Sequence, residues 1–250
     1  MTVSAAEFDG LIALVTGGCS GIGAAATTLL GERGAKVAVL DVRTECAADD
    51  VLALDCDVAD PVAVDQAVAT VVERLGSLDV LVNSAGIGAV GDISRNDDAE
   101  WARVFDVNVT GIARVTRAAL PHLRRSSHAA VVNLCSAVAF VGVRERALYS
   151  ASKGAVHALT LAMAADHAAD GIRVNAVAPG TVDTPWVARL LDAADDPGSA
   201  AKALRDRQPL GRLVTADEVA RAVVDLASPA SGSTTGTILR VDGGMTSLRL

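Results

Sequence analysis

The stretch "LIALVTGGCSGIG", residues 11–23, runs from apolar, β-favouring residues into a glycine-rich turn and on into a helical segment, "GAAATTLLGERG". Runs of the first kind recur at "KVAVLD" (36–41), "VLALDC" (51–56), "LDVLVNSAG" (78–86), "AAVVNLCS" (129–136), "IRVNAVAPG" (172–180) and "TILRVDGG" (237–244), so seven strands are implied. Stretches of helical length separate them, as in "PVAVDQAVATVVERLG" (61–76), where Pro61 suits a helix start and Gly76 its end. Strands that are apolar throughout, instead of alternating, are expected where helices cover both faces of a sheet. The expected fold is therefore α/β: a doubly wound, seven-stranded parallel sheet of Rossmann type. Ligands of such sheets bind beyond the carboxyl ends of the strands, which directs attention to the loops after each run.

Composition narrows the function. A chain of 250 residues with 51% hydrophobic content and no Pro/Gly/Ser linker suits one domain spanning 1–250. Its apolar runs are far shorter than the roughly 18 residues needed to cross a bilayer, and the start "MTVSAAEFDG" does not read as a secretory signal. Cys19, Cys46, Cys56 and Cys135 share no regular spacing, which favours free thiols in a reducing cytoplasm over a zinc site or disulfides. A net charge of −8 and 2% aromatic residues argue against nucleic acid as a partner. His122, His128, His157 and His167 show no metal-like clustering, so no metal is expected. The acidic stretch "DAADDPGSA" (192–200) reads as a mobile surface connection.

The turn after the first strand is a candidate cofactor site through Gly17, Cys19, Ser20, Gly21, Ile22 and Gly23. Glycines let the turn tighten and a pyrophosphate approach the backbone, while the helix start offers unpaired N–H groups to the anion. Turns of this kind also occur without a ligand, and the spacing departs from G-x-G-x-x-G. The second strand, however, ends on Asp41, 20 residues after Gly21. A carboxylate there accepts hydrogen bonds from ribose hydroxyls and repels a 2′-phosphate, which prefers NAD to NADP; Arg43 nearby softens that repulsion. Asp57 and Val58, then Asn83, Ala85 and Gly86 of "NSAG", occupy the next loops along the same sheet edge and could line the adenine and ribose.

The chain contains one tyrosine, Tyr149, and Lys153 follows it four positions later on an Ala-rich helix. Side chains at that spacing are neighbours on one face. A phenol with a pKa near 10 is a poor base at neutral pH, and a neighbouring ammonium favours its ionised form. Such pairs also arise as plain surface contacts.

Taken with its neighbours, this pair resembles the short-chain dehydrogenase/reductase family, over nearly the whole chain: "TGGCSGIG", "NSAG", Asn108, Ser136, "YSASK", "RVNAVAPGTVDTP" and "TGTILRVDGG". The resemblance implies hydride transfer between the nicotinamide C4 and a secondary alcohol or ketone. Its four catalytic residues carry over as Asn108, Ser136, Tyr149 and Lys153. Tyr149 would act as base, Ser136 would hold the same oxygen, Lys153 would hold the nicotinamide ribose and, with the positive nicotinamide ring, lower the tyrosine pKa, and Asn108 would position a proton-relaying water. Pro179, Gly180, Thr181, Val182 and Thr184 match the segment that holds the carboxamide in relatives. Ser84 and Cys135 depart from residues common in the family, and Ser20 stands where many NADPH users carry arginine.

Substrate choice is expected in the region 185–212. Arg146, Arg189 and Arg207 would suit a carboxylate, and "PGTVDTP" and "RQPLGR" resemble the branch with cytosolic 3-hydroxybutyrate and deoxy-sugar-acid dehydrogenases, so a small hydroxy acid or sugar acid is expected. Solvated arginines on helix faces are the plain alternative. Competing functions are an NADPH-dependent 3-oxoacyl thioester reductase, which Asp41 and Ser20 count against, and a nucleotide-binding sensor without turnover, which the retained Tyr149 and Lys153 count against. The family resemblance also implies a homotetramer, and small residues around the helix that carries Tyr149 allow close approach.

Overall fold

Seven parallel strands form the sheet of the computed structural model, which describes residues 6–45, 48–192 and 194–249. Cys46 and Ala193 therefore lie outside the described residues, as do positions 1–5 of the N-terminal stretch. The strands are β1 (Ile12–Thr16), β2 (Lys36–Asp41), β3 (Leu52–Asp55), β4 (Val80–Asn83), β5 (Ala130–Leu134), β6 (Arg173–Pro179) and β9 (Ile238–Val241). Their order across the sheet is β3-β2-β1-β4-β5-β6-β9. The chain thus winds outward from β1 in one direction, then returns to the centre and continues from β4 in the other. The crevice where that direction reverses lies at the carboxyl ends of β1 and β4.

Every residue of β1 is buried, because helices pack on both sheet faces. Ala13 and Val15 point to the face covered by α1 (Gly21–Glu32) and α8 (Ala216–Ala227). Ile12 and Leu14 point to the face covered by α2 (Pro61–Leu75), α4 (Gly111–Leu123) and α5 (Ala147–His167). The period of two along the strand hands alternate apolar side chains to two separate cores. Truncating one of them, such as the fully buried Leu14, to alanine would cost about 2–5 kcal/mol.

The start and stop residues behave as their chemistry dictates. Asp60 caps α2 by accepting from the N–H groups of Val62 and Ala63, Pro61 takes the first helical position, and Gly76 ends the helix at φ 94°. The same chemistry corrects the reading of 192–200. Its Pro-Gly pair does not interrupt a connection but opens α7 (Pro197–Asp206), with the Asp196 carboxylate accepting from Ser199 N–H at 3.0 Å. Helix α6 (Pro185–Asp192) precedes it, and a two-residue parallel pairing of β7 (Val182–Asp183) with β8 (Val214–Thr215) closes the region. Between α3 (Asp98–Phe105) and α4 the helix widens into a π-helical turn, Asp106–Thr110.

Candidate active site

The carboxyl edge of the sheet opens into a cleft of about 820 Å³. At its β1 end, Gly17 and Gly21 adopt φ values of 64° and 53°, which glycine enters without strain. A Cβ on Gly17 would stand 2.9 Å from Ala85 Cα, and one on Gly23 would stand 2.1 Å from the Gly17 carbonyl oxygen. The glycines therefore let the turn fold against the loop after β4 and against its own helix. Gly18, absent from the sequence reading, is equally constrained, since a Cβ there would meet Val39 Cγ2 at 2.6 Å. Ser20 is the N-cap of α1 without a capping bond from its side chain, and no acid stands in the first helical turn. That leaves an anion-ready helix start, and the cradle fits a dinucleotide pyrophosphate.

Asp41 is held in place by two main-chain donors. Its Oδ2 accepts from Cys19 N–H at 3.0 Å and its Oδ1 from Arg43 N–H at 3.2 Å. The carboxylate faces the cleft with Asp57 and Val58 beside it. Thr16, another residue that the sequence reading passed over, accepts through Oγ1 from Ser84 and Ala85 N–H, at 3.1 and 3.0 Å, and so ties the loop after β4 to the glycine turn. A hydroxyl residue closing the first strand was the available signal.

Ser20, Gly21, Ile22, Ala85, Gly86, Pro179, Gly180, Thr181, Val182 and Thr184 line the cleft with Gly17 and Asp41. Four expected site residues do not. Cys19 gives its N–H to Asp41 and packs its side chain against the core beneath the turn. Gly23 serves through the missing Cβ. Asn83 faces inward, donating from Nδ2 to Asn133 Oδ1 at 2.9 Å and Thr116 Oγ1 at 3.3 Å. Asn108, fully buried in the π-helical turn, accepts from Ile87 N–H at 2.8 Å and donates to Ile87 O and Ser152 Oγ. Its amide fixes the loop after Gly86 to α5 and does not reach into the cleft.

Ser136, Tyr149 and Lys153 do meet at the cleft floor. The end of β5 presents Ser136, and α5 presents the other two one turn apart, with Lys153 Nζ 5.8 Å from the tyrosine ring centroid. Lys153 is 5% exposed and donates to Leu134 O at 2.7 Å. Burial lowers its pKa to about 8. Burial likewise pushes the Tyr149 phenol up to about 12, with Cys135 adding to the rise and Ser136 and Arg146 opposing it. Desolvation of the phenolate thus outweighs the Ser136 hydrogen bond and the Arg146 charge, and raises the phenol where the spacing to Lys153 leads one to expect the opposite. Cys135 itself is buried, and that burial pushes its thiol up.

Arg146, Arg189 and Arg207 all line the cleft. Arg146 precedes α5 and donates to Glu145 O at 3.0 Å. Its pKa is lowered by burial and then by the like charge of Arg207. Among the described residues none of the three forms an ion pair with a carboxylate. Trp186, not singled out from sequence although it is one of two tryptophans, lies with its ring 6.3 Å from that of Tyr149. No group of His, Cys, Asp or Glu among the described residues could hold a metal ion, and none of their helices is long and apolar enough to cross a membrane.

A doubly wound parallel sheet with a dinucleotide-shaped cleft ending at a serine, a tyrosine and a lysine defines an oxidoreductase acting on CH–OH groups. Comparison with known proteins agrees. The family model described as enoyl-(acyl carrier protein) reductase matches residues 17–246. The cis-4-hydroxycyclohexanecarboxylate dehydrogenase of Sinomonas cyclohexanicum is 42% identical over 249 residues, covering 95% of this chain and 97% of the relative. A 2-(S)-hydroxypropyl-CoM dehydrogenase of Xanthobacter autotrophicus is 35% identical over 244 residues, covering 94% and 96%. Among solved structures, the ligand-free aldohexose dehydrogenase of Thermoplasma acidophilum superposes with a TM-score of 0.92 at 33% identity, covering 98% and 97%. The chain belongs to the short-chain dehydrogenase/reductase family, whose members work with nicotinamide cofactors.

Proposed function

We propose that the protein interconverts a small hydroxy acid and the corresponding oxo acid, using NAD. The observation that carries this reading is the placement of two guanidinium groups, Arg146 and Arg207, along one cleft with Tyr149, neither of them in a salt bridge with a carboxylate among the described residues. Two like charges facing one cleft are costly alone and favourable around an anion. The hydroxycyclohexanecarboxylate dehydrogenase supports the reading, since the substrate in its name joins an alcohol to a carboxylate.

Asp41 would hold the adenosine ribose, the N–H groups at the start of α1 the pyrophosphate, Lys153 the nicotinamide ribose, and Thr181, Val182 and Thr184 the carboxamide. A bound nicotinamide supplies hydride exchange at C4. In oxidation, Tyr149 Oη takes the hydroxyl proton while Ser136 Oγ hydrogen-bonds the same oxygen, and the carbinol C–H leaves as hydride to give the ketone. A phenol that holds its proton to about pH 12 is a weak base at neutral pH, so transfer requires more positive charge beside it than the side chains of the cleft provide. The Lys153 ammonium, which donates to Leu134 O beside the tyrosine, would supply part of that charge, and a bound oxidised nicotinamide would add the rest. Asn108 keeps the Ile87 loop and α5 in register below the reacting groups.

Asp41 supports NAD over NADP, because a fixed carboxylate at the ribose repels a 2′-phosphate. We also infer a homotetramer in the cytoplasm. The outer face of α5 carries the exposed apolar residues Ala151, Ala158, Leu161, Ala162 and Ala165, and the buried Cys56 and Cys135 are free thiols. Sedimentation at the mass of four subunits is expected, and a monomer would contradict it.

The deciding assay follows NADH formation with a hydroxy acid and with its uncharged amide. Loss of charge-assisted hydrogen bonds worth about 1.5–3 kcal/mol should lower kcat/KM at least tenfold for the amide. Equal rates on both would refute carboxylate recognition.

A further inference from the structure

We infer that the substrate's body, between its carbinol carbon and its carboxylate, is a saturated apolar ring or chain and not a polyol, and that Trp186 is the residue that selects it. This rests on the hydroxy-acid reading above and chooses between the two kinds of acid that the sequence left open.

The argument begins with what the cleft offers. Among the described residues no asparagine, glutamine, histidine or glutamate lines it, and its aspartates are Asp41 at the end of β2, Asp57 after β3 and Asp106 after α3. At the catalytic end the uncharged polar side chains are Ser136, Tyr149 and the carboxamide-side threonines, already committed to the reacting oxygen and the cofactor. The arginines there are committed to the anion. The rest of the lining there is mainly apolar and includes Val138, Val143, Trp186, Leu190 and Leu204. Extra hydroxyls on a sugar acid would lose water there without gaining partners, at roughly fivefold to a hundredfold in affinity for each. A methylene in the same place gains about fourfold.

Trp186 is built into this wall. A Cβ on Gly88 would lie 2.3 Å from Trp186 Cζ2, so the bare backbone at 88 is what admits the indole. The ring tilts 37° from that of Tyr149, and the residue remains 38% exposed, leaving apolar ring surface to meet a ligand. Helices α6 and α7 therefore bring both halves of the recognition: Trp186, Leu190 and Leu204 for the body, Arg207 for the charge.

The test measures kcat/KM of the purified enzyme with NAD on three probes of similar size: 4-hydroxycyclohexanecarboxylate, a six-carbon sugar acid, and cyclohexanol. The inference expects the cyclic hydroxy acid to exceed the sugar acid at least a hundredfold. Trp186→Ala should shrink that ratio at least tenfold, mainly through KM, whereas Trp186→Phe, which keeps an apolar ring, should hold it within about fivefold. A sugar acid used as well as the cyclic acid overturns the inference and leaves the hydroxy-acid reading standing. Cyclohexanol used as well as its carboxylate overturns the hydroxy-acid reading, while the apolar-body preference is still read from the other two probes. An unchanged ratio in a folded Trp186→Ala protein overturns the role of Trp186.

Discussion

Replacing Lys153 by methionine should abolish turnover and, at neutral pH, relieve the fold of a buried charge. The magnitude follows from the site. Lys153 is 5% exposed, and burial lowers its pKa from 10.5 to about 8. That difference corresponds to about 3 kcal/mol between the charged and neutral forms. The folded-state pKa is depressed, so the unfolded chain keeps the proton to higher pH. Below about pH 8 both states are charged and the burial cost is felt in full; as pH climbs towards 10.5, the folded state sheds its proton first and stability recovers. Methionine does not titrate. The stability of the wild type relative to Lys153→Met should therefore rise by about 2–3 kcal/mol between about pH 7 and about pH 10. The lost hydrogen bond to Leu134 O adds an offset that does not change with pH. Cys56, whose thiol burial pushes up to about 11, titrates alike in both proteins and cancels from the difference. Urea unfolding followed by tryptophan fluorescence at several pH values gives the comparison. Parallel stability curves for the two proteins would refute the claim that a charged lysine is held buried beside the tyrosine.

Asp41→Asn keeps an acceptor for Cys19 N–H but removes the charge, so the NAD:NADP ratio of kcat/KM should fall at least tenfold; steady-state kinetics with both cofactors would show it, and an unchanged ratio would discard electrostatic exclusion. Gly23→Ala drives a Cβ to within 2.1 Å of the Gly17 carbonyl and should cost about 1–3 kcal/mol in thermal unfolding and at least tenfold in NADH affinity; unaltered binding would show that the turn is not the pyrophosphate cradle.

The strands were legible because the central ones, such as β1 and β4, are buried on both faces and read as short runs of mostly apolar residues bounded by turn residues. Gly17, Gly21 and Asp41 were legible because strand, turn and helix follow one another at short range. The π-helical turn at Asp106–Thr110 was not, since i→i+5 bonding carries no local propensity signal, and neither was the two-residue pairing of Val182–Asp183 with Val214–Thr215, which joins distant segments. Asn83 and Asn108 were read from the sequence as site residues, yet which way an amide turns depends on partners such as Asn133 and Ile87 brought in by other elements. The burial that raises the Tyr149 pKa was not legible for a related reason: spacing along a helix shows the neighbouring ammonium, but the cost of burying a phenolate is set by the whole cleft. Trp186 owes its position to the missing side chain at Gly88, a relation visible only once the two segments are packed together.

The account stands on a phenol that gives up its proton in the company of Lys153 and an oxidised cofactor. Because Tyr149 is the chain's one tyrosine, near-ultraviolet phenolate absorbance reports on it alone. Without cofactor, the folded protein should show no phenolate up to a pH well above 10, in keeping with a pKa of about 12. With saturating NAD, the midpoint should fall by at least two units (about 2.7 kcal/mol). An NAD-saturated enzyme whose phenol titrates where it does in the free protein would contradict the proposed mechanism.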